Sequence, residues 1–224
     1  MPTAAHWTSA LRGRFLVLDG PDGSGKSTQF RRLADHCRAA GVVVAETREP
    51  GGTPIGEQIR TVLLDPHNGE MHVRCETMLY MASRAQLVHE RIAPALARGE
   101  LVLADRFISS TLAYQGTAGG LTREEILAVG DVAIGDVRPH LVILFDVDTQ
   151  TAARRISLFP DRMEQKDAAF HRRVREGYLD QARRDPAHHL VIDARPEPDA
   201  VWSALLAALE AWARAGAGAA SVRT

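Results

Sequence analysis

The chain has 224 residues, 45% of them hydrophobic and 25% charged, with a formal net charge of −1 at pH 7. That length supports one sizeable core and a single domain. The near-neutral balance excludes a general electrostatic attraction to nucleic acid or to an anionic membrane surface, and no apolar run approaches the roughly 18 residues of a transmembrane helix.

Residues 1–13 lack a charged start followed by a hydrophobic stretch, so they are not a signal peptide. They are expected to form a short mobile extension. Phe15-Leu16-Val17-Leu18 reads as a buried strand within 14–19. The loop Gly20-Pro21-Asp22-Gly23-Ser24-Gly25-Lys26-Ser27 follows, and Thr28 lies in the helix it opens, near 26–40. This is a complete G-x-x-x-x-G-K-[ST] motif in the strand–loop–helix context that the motif requires. Its glycines let successive N–H groups point at phosphate oxygens. The positive end of the helix dipole favours an anion there. Lys26 reaches the β- and γ-phosphates, and Ser27 offers a hydroxyl to Mg²⁺. It is one of only two lysines, the other being Lys166; arginine supplies 25 of the 27 basic residues.

Further strands are predicted at 42–47, 101–105, 141–146 and 189–193, several of them continuous apolar runs suited to a sheet covered on both faces. Helices are predicted near 54–64, 76–98, 122–134, 149–158, 167–184 and 197–213. Pro94 predicts a bend late in the long helix, and Thr122-Arg123-Glu124-Glu125 is a capping box. Residues 214–224 are Ala/Gly-rich and are expected to be a disordered tail. Cys37 and Cys75 are isolated and read as two buried thiols in a reducing cytosol. His188-His189 reads as a strand edge, not a ligand pair. The alternation of strand and helix predicts a three-layer α/β/α domain with a five-stranded parallel sheet. Ligands bind such sheets beyond the strands' carboxyl ends.

Two more segments sit at those ends. Leu101–Ala104 is an apolar strand that finishes in Asp105, where a phosphate-loop protein places a carboxylate for Mg²⁺, directly or through water. Arg106 follows and can fork onto phosphate oxygens. Arg48-Glu49-Pro50-Gly51-Gly52-Thr53 makes a rigid loop after the second strand, with Arg48 placed to meet a second phosphate. By physics alone Arg48 is equally a solvated charge beside a turn.

Thr47–Thr53 and Asp105-Arg106-Phe107-Ile108-Ser109-Ser110-Thr111-Leu112-Ala113-Tyr114-Gln115-Gly116 resemble the signatures of bacterial thymidylate kinases, a phosphate-loop nucleoside monophosphate kinase family. Glu76–Arg84 resembles their nucleobase-binding helix, and Asp161-Arg162-Met163-Glu164-Gln165 resembles part of their lid, expected here over about 157–166. The resemblance spans about residues 14–210. It implies phosphorylation of dTMP to dTDP by ATP and Mg²⁺ in a cytoplasmic homodimer built through helical faces near 54–64 and 76–98.

It also implies roles. ATP would lie on Gly20, Pro21, Asp22, Gly23, Ser24, Gly25, Lys26, Ser27 and Thr28, with Ser27 and Asp105 at the metal. Arg48, Arg60 and Arg106 would hold the acceptor monophosphate. Tyr80, where the family usually has Phe, would stack on thymine. Arg84 would donate to O4, and Thr111 and Gln115 would meet the base's other edge. Tyr114 would crowd the sugar's 2′ side, and Asp22 would contact the 3′-OH. Lys26, Arg106, Arg162 and Asp22 form the catalytic set, with Arg162 as the lid cation and Arg154 and Arg155 as alternatives. The competing readings are a deoxynucleoside kinase, which would need a carboxylate base for a neutral hydroxyl, and a GTPase-like switch, whose Asn-Lys-x-Asp motif is missing from the sequence.

Overall fold

The computed structural model describes residues 7–155 and 161–216. A 3₁₀ turn, Thr8–Leu11, leads into β1 (Phe15–Asp19). Next come α1 (Lys26–Ala39), β2 (Val44–Arg48), α2 (Pro54–Leu64), a 3₁₀ turn at Pro66–Asn68, and α3 (Val73–Leu87). A π-helical turn, Val88–Ile92, joins α3 to α4 (Ala93–Ala97). After β3 (Leu101–Asp105) come α5 (Ile108–Thr111), a π-helical stretch Leu112–Ala118, and α6 (Arg123–Ile134). The chain finishes with β4 (Leu141–Asp146), α7 (Thr149–Ala153), α8 (Ala168–Arg184), β5 (His189–Asp193) and α9 (Pro198–Arg214).

All strands are parallel, in the order β2-β3-β1-β4-β5. The period-2 alternation of strand side chains divides the core. Leu16, Leu18, Leu103, Ile143 and Phe145 pack under α1 and α9 with Phe30, Leu33, Leu205 and Leu209. Phe15, Val17, Val102, Ala104 and Val142 pack against the opposite layer with Leu87, Ile92, Phe107 and Ile126. A smaller cluster joins α8 to the π-helical stretch through Val174, Tyr178, Ala113 and Tyr114. Gly177 permits that approach: a Cβ there would lie 2.7 Å from Thr117 Oγ1 and 3.1 Å from Ala113 Cα.

The strand predictions agree with the sheet to within two residues. The capping box at Thr122 and Glu125 is present in both directions. Four expectations need correction. Residues 7–13 are not detached: Trp7 and Leu11 are buried in the core, and Trp7 stacks on His36 with ring centroids 5.8 Å apart. The helix predicted at 76–98 starts earlier, at Val73, because His72 Nδ1 accepts the Arg74 N–H as a cap. It is also divided by the π turn ahead of Pro94, whose ring removes a helical donor. Cys75 is exposed, while Cys37 is buried. Residues 156–160, within the predicted helix 149–158 and lid 157–166, lie outside the described residues, as do 1–6 and 217–224.

Candidate active site

The switch in strand order places β1 beside β3, and the ends of both strands open onto one cavity of about 220 Å³. Lys26, Asp22, Arg48, Arg60, Tyr80, Arg84, Asp105, Arg106, Thr111, Tyr114 and Gln115 all line it. Every acceptor-side residue expected from the sequence therefore converges on it.

β1 ends in Asp19, which is fully buried. It accepts from the Gly20 N–H (3.0 Å), Ser109 Oγ (2.6 Å), Ser110 Oγ (2.7 Å) and the Tyr178 hydroxyl (2.5 Å). These bonds fix the root of the phosphate loop to α5 and α8. Within the loop Gly23 has φ +76°, and a Cβ there would collide with the Ala152 carbonyl oxygen. Only glycine fits this left-handed position against α7. Gly25, also left-handed, caps α1, so the helix starts at Lys26.

Lys26 is buried, and its Nζ lies 4.0 Å from Asp22 Oδ1. Burial first, then Arg106, pushes the ammonium below its ordinary range, while Asp22, Asp105 and Asp19 oppose the shift. Asp22 also pairs with Arg106 and accepts from the Tyr114 hydroxyl at 2.7 Å. Burial disfavours its charge. Arg106, Lys26 and the Tyr114 bond outweigh burial and lower the carboxyl to about 2.

Arg106 follows β3 with φ +73°, the one non-glycine with positive φ among the described residues. Its N–H donates to Leu18 O at 3.0 Å. The left-handed turn costs a branched or long residue roughly 1–2 kcal/mol and swings the guanidinium over the loop. There Nη1 donates to Gly20 O (3.1 Å), Ser110 Oγ (3.1 Å) and the Tyr178 hydroxyl (2.9 Å). Its carbon lies 5.1 Å from the Tyr114 ring centroid. Arg48 forks onto Glu57 with two 2.9 Å bonds, and Arg60 donates to Pro50 O at 2.9 Å. Burial, then Arg48, lowers the Arg60 pKa. Arg48, Arg60 and Arg106 thus place three guanidiniums at this end of the cavity, with Arg84 as a fourth along its lining.

The far end is built from α3 and the stretch after α5. Arg84 is 1% exposed; its Nε and Nη2 both reach Glu49 Oε2, at 2.8 and 2.6 Å, and Nη2 donates to Thr111 Oγ1 at 3.1 Å. Burial pushes Glu49 up, against the opposing pull of Arg84. Tyr80 supplies a ring wall, and its phenol is raised by burial and then by Glu76. Gln115 Nε2 donates to Glu76 Oε1 at 2.6 Å.

Asp105 Oδ1 is buried without a hydrogen-bond partner. An orphaned carboxylate oxygen beside Lys26, with Ser27 opening α1, suits a hard cation that takes one or two protein oxygens and completes its shell with phosphate and water. The residues present therefore fit Mg²⁺.

Arg162 departs from its predicted place. It is 3% exposed and does not line the cavity; its Nε donates to Leu63 O at 2.7 Å, and its Nη2 lies 2.6 Å from Glu76 Oε2 as an ion pair. A catalytic lid cation must face the phosphates, whereas this one is spent on α2 and α3. Arg155, an alternative, donates to Ala194 O (2.8 Å) and Arg195 O (3.0 Å) beyond β5. Arg154 is exposed.

Asp19, Ser110, Glu76 and Tyr178 join the site without an individual role legible in the sequence. Asp19 carries the signal used for Asp105, an acid ending an apolar strand. Gly177, isolated inside a helical pattern, was the signal for a close approach at Tyr178.

The family model described as thymidylate kinase matches residues 18–205. A thymidylate kinase of Deinococcus radiodurans is 48% identical over 202 residues, covering 87% of this chain and 97% of that protein. Another, from Symbiobacterium thermophilum, is 48% identical over 181 residues, covering 80% and 85%. The crystal structure of thymidylate kinase from Ehrlichia chaffeensis superposes with a TM-score of 0.73 at 30% identity, over 89% of this chain and 99% of that one. With the cation-lined cavity at the end of β1 and β3, these matches establish that the chain belongs to the thymidylate kinase family and is a nucleoside monophosphate kinase.

Proposed function

We propose that the chain transfers the γ-phosphoryl group of ATP to the phosphate of dTMP, giving ADP and dTDP. The observation that carries this is the joint placement of Lys26 and Arg106 on Asp22, between the phosphate loop and the Tyr80–Arg84 end of the cavity. The acceptor oxygen is already anionic at neutral pH, so no strong general base is required. The difficulty is bringing two anions together and stabilising charge on the transferring group. Arg106, Arg48 and Arg60 hold the acceptor phosphate. Lys26 and the loop's N–H groups hold the donor's phosphates. Glu57 releases Arg48 when a phosphate competes for the fork. Arg162 is not retained as a phosphate cation in this reading.

Mg²⁺, held by Ser27 and Asp105 directly or through water, would neutralise charge on the β- and γ-phosphates. Tyr80 stacks on the base, Arg84 donates to its O4, and Tyr114, positioned by Asp22, crowds the sugar. The chain acts as a homodimer in a reducing cytoplasm, with the exposed Ile55, Val62 and Met78 of α2 and α3 at the interface. Among the described residues no helix is long and apolar enough to cross a membrane.

The test is ADP release from ATP and Mg²⁺ on adding dTMP, with Lys26→Ala as the blank. Turnover far above the blank supports the proposal. ADP release that dTMP does not stimulate refutes it.

A further inference from the structure

Arg162, Glu76 and Gln115 form a chain of buried polar groups, 3%, 5% and 2% exposed, beside the cavity. Arg162 Nε is tied to the Leu63 carbonyl of α2 at 2.7 Å, which fixes the guanidinium. Its Nη2 faces Glu76 Oε2 at 2.6 Å. The other Glu76 oxygen accepts from Gln115 Nε2 at 2.6 Å. Gln115 itself lines the cavity; Arg162 and Glu76 do not.

A primary amide has two different ends, and only its neighbours decide which way each points. A carboxylate paired with an arginine can only accept. Glu76 therefore holds the NH₂ end of Gln115, and the amide oxygen takes the opposite direction. No described residue donates to that oxygen. The cavity wall thus presents an acceptor at Gln115 and, at Arg84, the one Nη1 N–H left over from the bonds to Glu49, Thr111 and Met81.

We propose that Glu76 and Arg162 are specificity-positioning residues: together they lock the Gln115 amide with its oxygen toward the nucleobase. The proposal rests on the dTMP reading above. Thymine and uracil carry N3–H beside O4, which matches an acceptor beside a donor. Cytosine presents a bare N3 and an amino group, so both positions oppose like against like and leave buried groups unpaired. Arg162 acts here through Glu76, without touching substrate. It engages Oε2 of the carboxylate, so that Oε1 is left for the amide.

Glu76→Gln removes the lock, because a glutamine can either accept from or donate to Gln115 and so admits both amide orientations. It also strands the Arg162 charge, so the double variant Glu76→Gln/Arg162→Met is made alongside it. The experiment measures KM for dTMP and for dUMP, and the inhibition constant of dCMP against dTMP, in the wild type and both variants. These ratios do not depend on the fraction of folded enzyme.

The expected result is a fall of about tenfold or more in discrimination between dTMP and dCMP, with discrimination between dTMP and dUMP unchanged, since both carry N3–H. An unaltered dCMP ratio overturns the proposal. So does a parallel loss against dUMP and dCMP, which would mean general loosening of the pocket. A wild-type enzyme that does not use dTMP at all would refute the function itself, and this proposal with it.

Discussion

Tyr178→Phe removes one hydroxyl and leaves the ring, so it isolates the network that aims Arg106. That hydroxyl bonds Asp19 at 2.5 Å and Arg106 at 2.9 Å, and lies 2.7 Å from Ser110 Oγ. Hydrogen bonds to charged groups contribute about 1.5–3 kcal/mol each. The lower figure applies, because Asp19 keeps Ser109, Ser110 and the Gly20 N–H, and Arg106 keeps the Gly20 carbonyl, Ser110 and Asp22. A loss of about 1.5 kcal/mol in a domain of this size lowers Tm by about 3–6 °C. The kinetic effect follows from Arg106, whose guanidinium is held over the phosphate loop by these same bonds. A small displacement of a positioning cation costs up to about 10² in rate, so a drop of about tenfold in kcat/KM for dTMP is expected. Thermal melts and coupled ADP-release assays on the same preparation measure both. Lower Tm with unchanged kcat/KM would refute the claim that Tyr178 positions Arg106. Unchanged Tm would refute the energetic argument for the network.

Three further outcomes are expected. The Asp22 carboxyl is depressed to about 2, so its folded form binds a proton less readily than the unfolded chain; the resulting stability is present above about pH 4 and is lost as pH falls through 2. Denaturant titrations over that window should show about 2 kcal/mol more acid loss for the wild type than for Asp22→Asn; equal slopes would contradict it. Gly23→Ala and Gly41→Ala both place a Cβ at positive φ, +76° and +77°, but only the first meets backbone, at Ala152, while the second meets open space. The Gly23 variant should lose about 1–3 kcal/mol more stability together with ATP affinity, read by melts with and without ATP; matched losses in the two variants would refute the collision. Asp105→Asn keeps the shape and removes the charge of the orphaned oxygen, so half-saturating Mg²⁺ in the ADP-release assay should rise about tenfold or more; an unchanged requirement would remove Asp105 from the metal site.

Much of this arrangement is legible in the sequence because its signals are local. The phosphate loop is contiguous, the central strands are unbroken apolar runs, and Asp105 and Arg106 sit where β3 must end. What escaped depends on residues far apart in the chain. Nothing near Arg162 shows that Glu76 and the Leu63 carbonyl would claim it. The lid resemblance alone therefore points Arg162 at phosphates, while the fold turns it to α2 and α3. The segment Ile108–Ala118 mixes hydroxyls, glycine and an amide, with no clean helical period. It is helical and π-helical because α8 packs against it through Gly177 and because its polar groups are satisfied by Asp19, Asp22 and Glu76. Nothing local to Trp7 marks it as core, because its partner, His36, lies on another element.

The central claim is that the cations at the ends of β1, β2 and β3 recognise an acceptor that already bears a phosphate. The most direct measurement is kcat/KM for dTMP against thymidine, with ATP and Mg²⁺ saturating, in the wild type and Arg106→Ala. The account predicts strong preference for dTMP, reduced about 10²- to 10³-fold by the substitution. Equal or better use of thymidine, or a preference that survives loss of Arg106, would contradict it.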